Sequence, residues 1–95
     1  MKKLTEVEIN KYLERFPEWK FIDNGIEATL QFGDFKDCFA MMTRIAFECE
    51  AQNHHPNWYN VYNRLSIRLS THDAGGVTEK DFKLAETIET LIANQ

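Results

Sequence analysis

The sequence predicts an α+β fold in which a four-stranded antiparallel sheet carries three helices on one face, in the order α-β-β-α-β-β-α. Two patterns support this prediction, because apolar residues recur with helical spacing in some segments and alternate with polar residues in the segments between them. A third observation sets the size. The chain has 95 residues with 43% hydrophobic and 13% aromatic side chains, enough for a single core. We therefore expect one domain over residues 1–95.

A capping box predicts where the first helix begins. Thr5 and Glu8 are spaced so that each side chain can accept a hydrogen bond from the other residue's backbone N–H. Apolar residues then recur at i, i+3, i+4 and i+7, and Pro17 ends the run because the residue before a proline avoids helical dihedrals. The apolar face of this helix consists of Ile9, Tyr12, Leu13 and Phe16.

Alternation of apolar and polar residues predicts a β-hairpin after this helix. The two runs, residues 19–22 and 26–32, are separated by Asp23-Asn24-Gly25, and Asn-Gly between such runs favours a tight turn. Gly33 then ends the second strand, and Asp34 is a preferred residue for the N-cap of a following helix.

A long central helix is predicted from about Phe35 to about Ala51. Its core stripe at helical spacing comprises Phe35, Cys38, Phe39, Met42, Ile45, Ala46 and Cys49. A second set of residues lies on about the opposite side of this helix from the core stripe; it comprises Ala40, Arg44, Phe47 and Ala51. This outward face is less polar than the surface of a monomer needs to be. Two interpretations stand for this set, a helix-to-helix subunit contact or a single exposed Phe47. The two cysteines, roughly 16 Å apart along the helix, are expected to be core residues without a disulfide.

Two more strands and a last helix complete the predicted order. The strands are residues 58–61 and 65–70, joined by a turn at Tyr62-Asn63. A flexible connection over residues 71–76 follows, and Thr78 caps a helix that runs to about Asn94.

All three histidines lie on either side of the second hairpin, His54 and His55 before it and His72 after it. Imidazole titrates close to neutrality, so this clustering predicts an acid and a base held together for proton transfer. The spacing argues against a metal centre, because adjacent histidines point in different directions and no His-x-x-x-His pair is present.

Two carboxylates are candidates for orienting these imidazoles. Asp81 lies on the inward face of the last helix, where it either fixes a nearby histidine or only forms a capping box with Thr78. Glu50 stands one helical turn before His54, where it either orients an imidazole or is a solvated surface residue. The sequence leaves both alternatives open.

Charge and hydropathy exclude several kinds of partner. The formal net charge of −4 argues against nucleic-acid binding, which needs a concentrated field of Lys and Arg. The first residues lack the apolar stretch of a secretory signal, and no run approaches the ~20 apolar residues that span a membrane. We therefore expect a cytoplasmic protein that contacts neither nucleic acid nor membrane.

Taken together, these motifs resemble those of the pterin-4a-carbinolamine dehydratase family. The resemblance rests on the joint spacing of Glu50-x3-His54-His55-Pro56, His72 and Asp81, and it covers nearly the whole chain. It implies dehydration of 4a-hydroxytetrahydropterin to quinonoid dihydropterin, the recycling step after an aromatic amino acid hydroxylase has used its pterin. Two imidazoles in different protonation states suit this reaction, which needs a proton donor and a proton acceptor. The pterin is the substrate, and no metal or other cofactor is implied.

The resemblance also implies roles for single residues. The acid–base set is His54, His55 and His72, with Asp81 orienting His72. The implied pterin contacts are Asn53, Pro56, Trp58, Ser70, Thr71 and Asp73, with Glu50 in a supporting position. An aromatic residue that starts a strand, such as Trp58, is also a candidate core residue.

Members of this family assemble through strand edges and through the central helix, which implies a homodimer or a homotetramer. Animal members also serve as dimerisation cofactors of a homeodomain transcription factor. The alternative function is therefore a protein-binding module of a transcription regulator.

Overall fold

The computed structural model describes residues 1–95 as a four-stranded antiparallel sheet of strand order β1-β2-β4-β3 with three α-helices. The elements are α1 (Glu6–Leu13), β1 (Lys20–Ile22), β2 (Gly25–Gln31), α2 (Phe35–Gln52), β3 (Asn57–Val61), β4 (Arg64–Leu69) and α3 (Glu79–Ala93). The predicted fold class and element order are confirmed. None of the helices is long and apolar enough to cross a bilayer.

The two central strands, β2 and β4, present one apolar face to the helices. Residues facing inward are fully or almost fully buried; they are Ile26, Ala28, Leu65, Ile67 and Leu69. From the other side, α3 buries Leu84, Ala85 and Ile88 against this face. The strand residues between the inward ones, such as Thr29 and Ser66, lie on the opposite, open face of the sheet.

The predicted β1–β2 hairpin forms, but its turn lies one residue earlier than the Asn-Gly pair suggested. Asp23 and Asn24 occupy the two turn positions with φ of 48° and 63°, as a type I′ turn requires, and Gly25 opens β2. A Cβ on Gly25 would lie 2.6 Å from the Arg68 guanidinium, which donates to the carbonyl of Ile22. A side chain at position 25 would therefore displace the Arg68 guanidinium.

The core face of α2 differs from the predicted stripe. The buried residues are Cys38, Met41, Ile45 and Cys49. Phe35 and Phe39 are 45% and 54% exposed, and Ala46 is exposed as well, so the prediction that these three belong to the core was wrong, and Met41 was missed. The observed face is rotated by about 50° from the predicted one at 100° per residue. The helix is apolar over a wider sector than the sheet and α3 cover.

Both cysteines are buried core residues without a disulfide, as predicted. Burial raises the pKa of the Cys38 and Cys49 thiols, which keeps them protonated at neutral pH. Because the thiolate is the nucleophilic form, neither side chain is suited to covalent catalysis.

The segment after β4, predicted as a flexible connection, is instead a closed turn. Residues His72–Ala74 form one turn of 3₁₀-helix. The ends of the turn are joined by the backbone N–H of Thr71, which donates to the carbonyl of Gly76 at 2.8 Å. The N-terminal segment adds a further tie, since Leu4 N–H donates to the carbonyl of Val77 at 2.8 Å. This turn holds His72 at the end of the sheet.

Candidate active site

The end of α2 determines where the first two histidines point. Asn53 adopts the left-handed conformation, with φ 50° and ψ 45°, and its N–H donates to the carbonyl of Glu50. His54 N–H donates to the carbonyl of Cys49 at 3.0 Å, which completes a Schellman motif. Nearby, Gln52 Nε2 donates to Thr87 Oγ1 at 2.8 Å and fastens this end of α2 to α3. The helix α2 thus ends at Asn53, next to α3.

His54 is turned inward, where it contacts Asp81. Its Nε2 lies 2.5 Å from Asp81 Oδ1, and the two side chains are 9% and 0% exposed. The expectation that Asp81 orients His72 was wrong, because the carboxylate bonds His54, Thr71 and Thr78 and makes no hydrogen bond to the His72 ring. A buried carboxylate in this position holds one imidazole nitrogen and leaves the other for chemistry.

The two interpretations of Asp81 both hold at once. Its Oδ2 accepts the backbone N–H of Thr78 at 2.9 Å, which closes the capping box of α3. The same oxygen accepts the hydroxyl of Thr71 at 2.9 Å, while Oδ1 remains with His54. One carboxylate therefore caps a helix and orients a histidine.

His55 points outward and pairs with Glu50. Its Nε2 lies 2.5 Å from Glu50 Oε2, and the side chains are 56% and 77% exposed. The sequence left open whether Glu50 orients an imidazole or is a solvated surface residue; it does contact an imidazole while remaining exposed, but the ring is that of His55 and not of His54. The i, i+4 geometry requires the helix to continue, whereas the left-handed Asn53 ends it before His54. The two adjacent histidines thus have separate carboxylate partners, one buried and one exposed.

His72 is exposed and opens the 3₁₀ turn. No carboxylate bonds its ring. Its position relative to His54 follows from the preceding residue, because Thr71 donates to the same carboxylate that holds His54. The two histidine-bearing segments, far apart in sequence, are therefore brought together at Asp81.

The residues predicted as pterin contacts are placed in different ways. Asn53 and Asp73 are exposed, and Pro56 is half-buried. Trp58 is half-buried and packs against the core. The Ser70 hydroxyl donates at an exposed position to the carbonyl of Asn24, in the β1–β2 turn, whereas the buried Thr71 hydroxyl donates to Asp81. Of these two residues, Thr71 therefore supports the site from within the protein.

Sequence reasoning missed the part that Thr78 takes in this site. Thr78 was identified only as a helix cap, yet its hydroxyl lies 2.7 Å from that of Thr71 and the side chain is fully buried. No sequence pattern signals this contact, because the two threonines come from opposite ends of a loop. Their pairing depends on the bridge that closes the loop between Thr71 and Gly76.

Other parts of the surface lack comparable chemistry. A groove of about 560 Å³ lies on the open face of the sheet, and Trp58 is the only predicted site residue that borders it. The charged pair in this groove, Arg68 with Glu27 at 2.7 Å, is a surface ion pair. No group of three or more His, Cys, Asp and Glu side chains is arranged to hold a metal ion. The histidine cluster remains the best candidate for an active site.

Comparison with known proteins gives a consistent result. Residues 2–91 match the family model described as Pterin 4 alpha carbinolamine dehydratase. A Christiangramia forsetii protein provisionally named as such a dehydratase is 58% identical over 92 residues, covering 97% of this chain and 95% of the relative. A Burkholderia multivorans protein with the same provisional name is 46% identical over 94 residues, covering 97% and 92%.

A solved structure has the same fold. A crystal structure from Brucella melitensis, described as a transcriptional coactivator/pterin dehydratase, superimposes with a TM-score of 0.92 at 37% sequence identity. The match covers 95% of this chain and 98% of the other. The similarity therefore extends over the whole domain and includes the segments that bear the histidines.

Proposed function

Because the chain belongs to the pterin 4 alpha carbinolamine dehydratase family, we propose that it dehydrates 4a-hydroxytetrahydropterin by histidine acid–base catalysis. One observation supports this most strongly. The Asp81 carboxylate is hydrogen-bonded to both His54 and Thr71, so the segment that bears His72 is tied to the same carboxylate as His54. The product is quinonoid dihydropterin, returned to the pterin pool after an aromatic amino acid hydroxylase has acted.

The proposed reaction breaks two bonds and forms one double bond. An unprotonated imidazole accepts the N5 proton, and a protonated imidazole donates to the 4a-hydroxyl as the C4a–O bond breaks. The electrons of the N5–H bond form the C4a=N5 double bond, and water leaves. Positioned acid and base groups of this kind contribute about 10²–10⁴-fold each to a rate. His54, His55 and His72 are the groups that supply them, with Asp81 and Glu50 holding two of the three rings.

The test is a direct assay of dehydration. The 4a-hydroxytetrahydropterin is generated in situ by a hydroxylase, and its decay is followed by stopped-flow absorbance with and without the purified chain. We expect decay faster than the spontaneous rate, and at least about a 10-fold smaller enhancement for His72→Ala, because an imidazole is lost. A matched control is Val7→Ala, at an exposed position of α1, which should retain full activity. Decay at the spontaneous rate with the wild-type chain would contradict the proposal.

A second function is favoured by the exposed side of α2. The predicted outward set is exposed throughout; it comprises Ala40, Arg44, Phe47 and Ala51. Phe35, Phe39 and Phe47 are 45%, 54% and 69% exposed, and we call these three residues the α2 apolar face. The Brucella melitensis neighbour is described as a transcriptional coactivator as well as a pterin dehydratase. We propose that the α2 apolar face makes a subunit contact in a homodimer or homotetramer, and that a protein partner binds the same face in place of the second copy.

Phe47→Asp is expected to weaken assembly, because a charge would have to be buried in an apolar contact. Static light scattering at micromolar concentration should give an oligomer for the wild-type chain and a smaller species for the variant. A protein partner held by this face should be released by Phe47→Asp and retained by His72→Ala in a pulldown. A wild-type monomer in light scattering would contradict the assignment of the α2 apolar face.

A further inference from the structure

Two buried hydroxyl groups stand behind the Asp81 carboxylate. Thr78 Oγ1 lies 2.7 Å from Thr71 Oγ1, and Thr71 Oγ1 lies 2.9 Å from Asp81 Oδ2. On its other oxygen, Asp81 contacts Nε2 of His54 at 2.5 Å. The result is a continuous chain of four side chains that runs from the N-cap of α3 to the imidazole.

The direction of each hydrogen bond in this chain follows from counting protons. A carboxylate only accepts, so the single hydroxyl proton of Thr71 goes to Asp81. Thr78 must then donate to Thr71, while its own oxygen accepts the backbone N–H of Lys80 at 3.2 Å. The N-terminus of α3 also favours negative charge on the Asp81 side chain. Each threonine therefore has one defined orientation.

The same count assigns the protons of His54. Because Asp81 Oδ1 accepts, Nε2 carries a proton, and the neutral ring has Nδ1 unprotonated. Nδ1 makes no hydrogen bond to the protein. The only buried side-chain nitrogen or oxygen without a partner is Gln52 Oε1, so Nδ1 of His54 reaches the surface. The nitrogen available to accept a proton from a ligand is thus Nδ1.

The hydroxyl pair also connects to the second histidine segment. Thr71 is the residue before His72, and its backbone closes the turn through bonds with Gly76. A shift of the Thr71 side chain would therefore move both the carboxylate that holds His54 and the start of the turn that bears His72.

We infer that Thr78 and Thr71 are positioning residues, which fix Asp81 so that His54 presents an unprotonated Nδ1 and which tie the start of the His72 turn to the same carboxylate. This inference rests on the proposed function, since it describes how the same histidines are prepared for proton transfer. Neither threonine touches the pterin in this role. Both act through Asp81.

The test compares a hydroxyl-deleting variant with a hydroxyl-retaining one. Thr78→Val keeps the shape of the side chain but cannot donate to Thr71, whereas Thr78→Ser keeps both the hydroxyl and the helix cap. Thr71→Val removes the same contact without altering the cap. Thr5→Val serves as a control for the loss of a capping hydroxyl, because Thr5 caps α1 away from the histidines.

The first readout is the tautomer of His54, measured from the ¹⁵N chemical shifts of its ring nitrogens in the neutral form. The wild-type chain, Thr78→Ser and Thr5→Val should show Nε2–H. In Thr78→Val and Thr71→Val the hydroxyl pair no longer fixes the carboxylate, which is then free to turn away from Nε2, so a mixture of tautomers should appear. The second readout is kinetic. We expect kcat to fall roughly 10-fold or more in both valine variants at positions 71 and 78, with KM changed less, because the reacting groups are misplaced. Thr78→Ser should restore kcat.

The two readouts separate this inference from the proposed function. If the wild-type chain has no dehydratase activity but the two valine variants still show mixed tautomers of His54, the positioning role is supported and the proposed function is contradicted. Wild-type tautomer and wild-type kcat in folded Thr71→Val would overturn the positioning role, even if Thr78→Val fails to fold.

Discussion

Replacing Asp81 by asparagine is expected to lower kcat for dehydration on the order of 10³-fold by inverting the tautomer of His54. Two donors, the backbone N–H of Thr78 and the hydroxyl of Thr71, point at the Oδ2 position. The amide oxygen of an asparagine would stay there to accept them, which turns its NH₂ group toward Nε2 of His54. A donor facing Nε2 requires that nitrogen to be unprotonated, so the proton moves to Nδ1. A histidine held in the wrong tautomer cannot accept the proton at Nδ1, and the general acid–base catalysis that is then lost contributes about 10²–10⁴-fold to a rate.

Asp34→Asn is the matched control for this change. Asp34 is also the acidic N-cap of a helix, with Oδ1 accepting from Asp37 N at 2.9 Å, but it lies at the start of α2. Asparagine is an equally good N-cap residue, so activity should be unchanged. The measurements are kcat by stopped-flow absorbance and the ¹⁵N shifts of the His54 ring. An Asp81→Asn variant with wild-type kcat would show that the Asp81–His54 pair has no part in the reaction.

His54→Ala and His55→Ala are expected to impair dehydration similarly, each by about 100-fold or more, but to differ in stability. His54→Ala leaves Oδ1 of a fully buried Asp81 without a partner, and breaking a buried pair in this way costs about 3 kcal/mol or more. His55→Ala removes an exposed pair with Glu50, and such pairs contribute about 1 kcal/mol or less. Comparing the two variants thus separates the effect of losing an imidazole on catalysis from its effect on stability.

Urea unfolding followed by circular dichroism measures the difference. The free energy of unfolding should fall for His54→Ala and stay close to wild type for His55→Ala. Both variants should be assayed at a temperature at which the wild-type chain and His54→Ala are fully folded. Equal losses of stability would contradict the assignment of one buried and one exposed carboxylate–imidazole pair. Full activity in both variants would contradict the proposed chemistry.

The order of helices and strands was readable from the sequence because each boundary has a local cause. All three helices begin beside capping residues. These are Thr5 with Glu8 at α1, Asp34 at α2, and Thr78 with Asp81 at α3. The core face of α2 was less readable. Its apolar residues extend around more than one side of the helix. Only packing against α3 and the sheet determines that the side with Met41 and Ile45 is the buried one.

The sequence identified all three histidines as candidates, but it did not show which carboxylate each ring contacts. Helical periodicity correctly predicted that Asp81 faces inward, because the spacing of apolar residues within one helix is a local pattern. Which imidazole it meets depends on how the end of α2 lies against α3, and a left-handed Asn53 decides that. Because Asn53 ends the helix before His54, Glu50 contacts His55 instead of His54. Tertiary contacts between remote segments, such as Thr71 with Thr78, have no signal in a single sequence.

The most direct test is a crystal structure of the chain with bound 7,8-dihydrobiopterin, a pterin that cannot lose a 4a-hydroxyl. The bicyclic ring is expected beside His54, His55 and His72, with a ring nitrogen or a substituent within hydrogen-bond distance of His54 Nδ1. A pterin bound instead in the groove on the open face of the sheet, out of reach of all three imidazoles, would contradict the account.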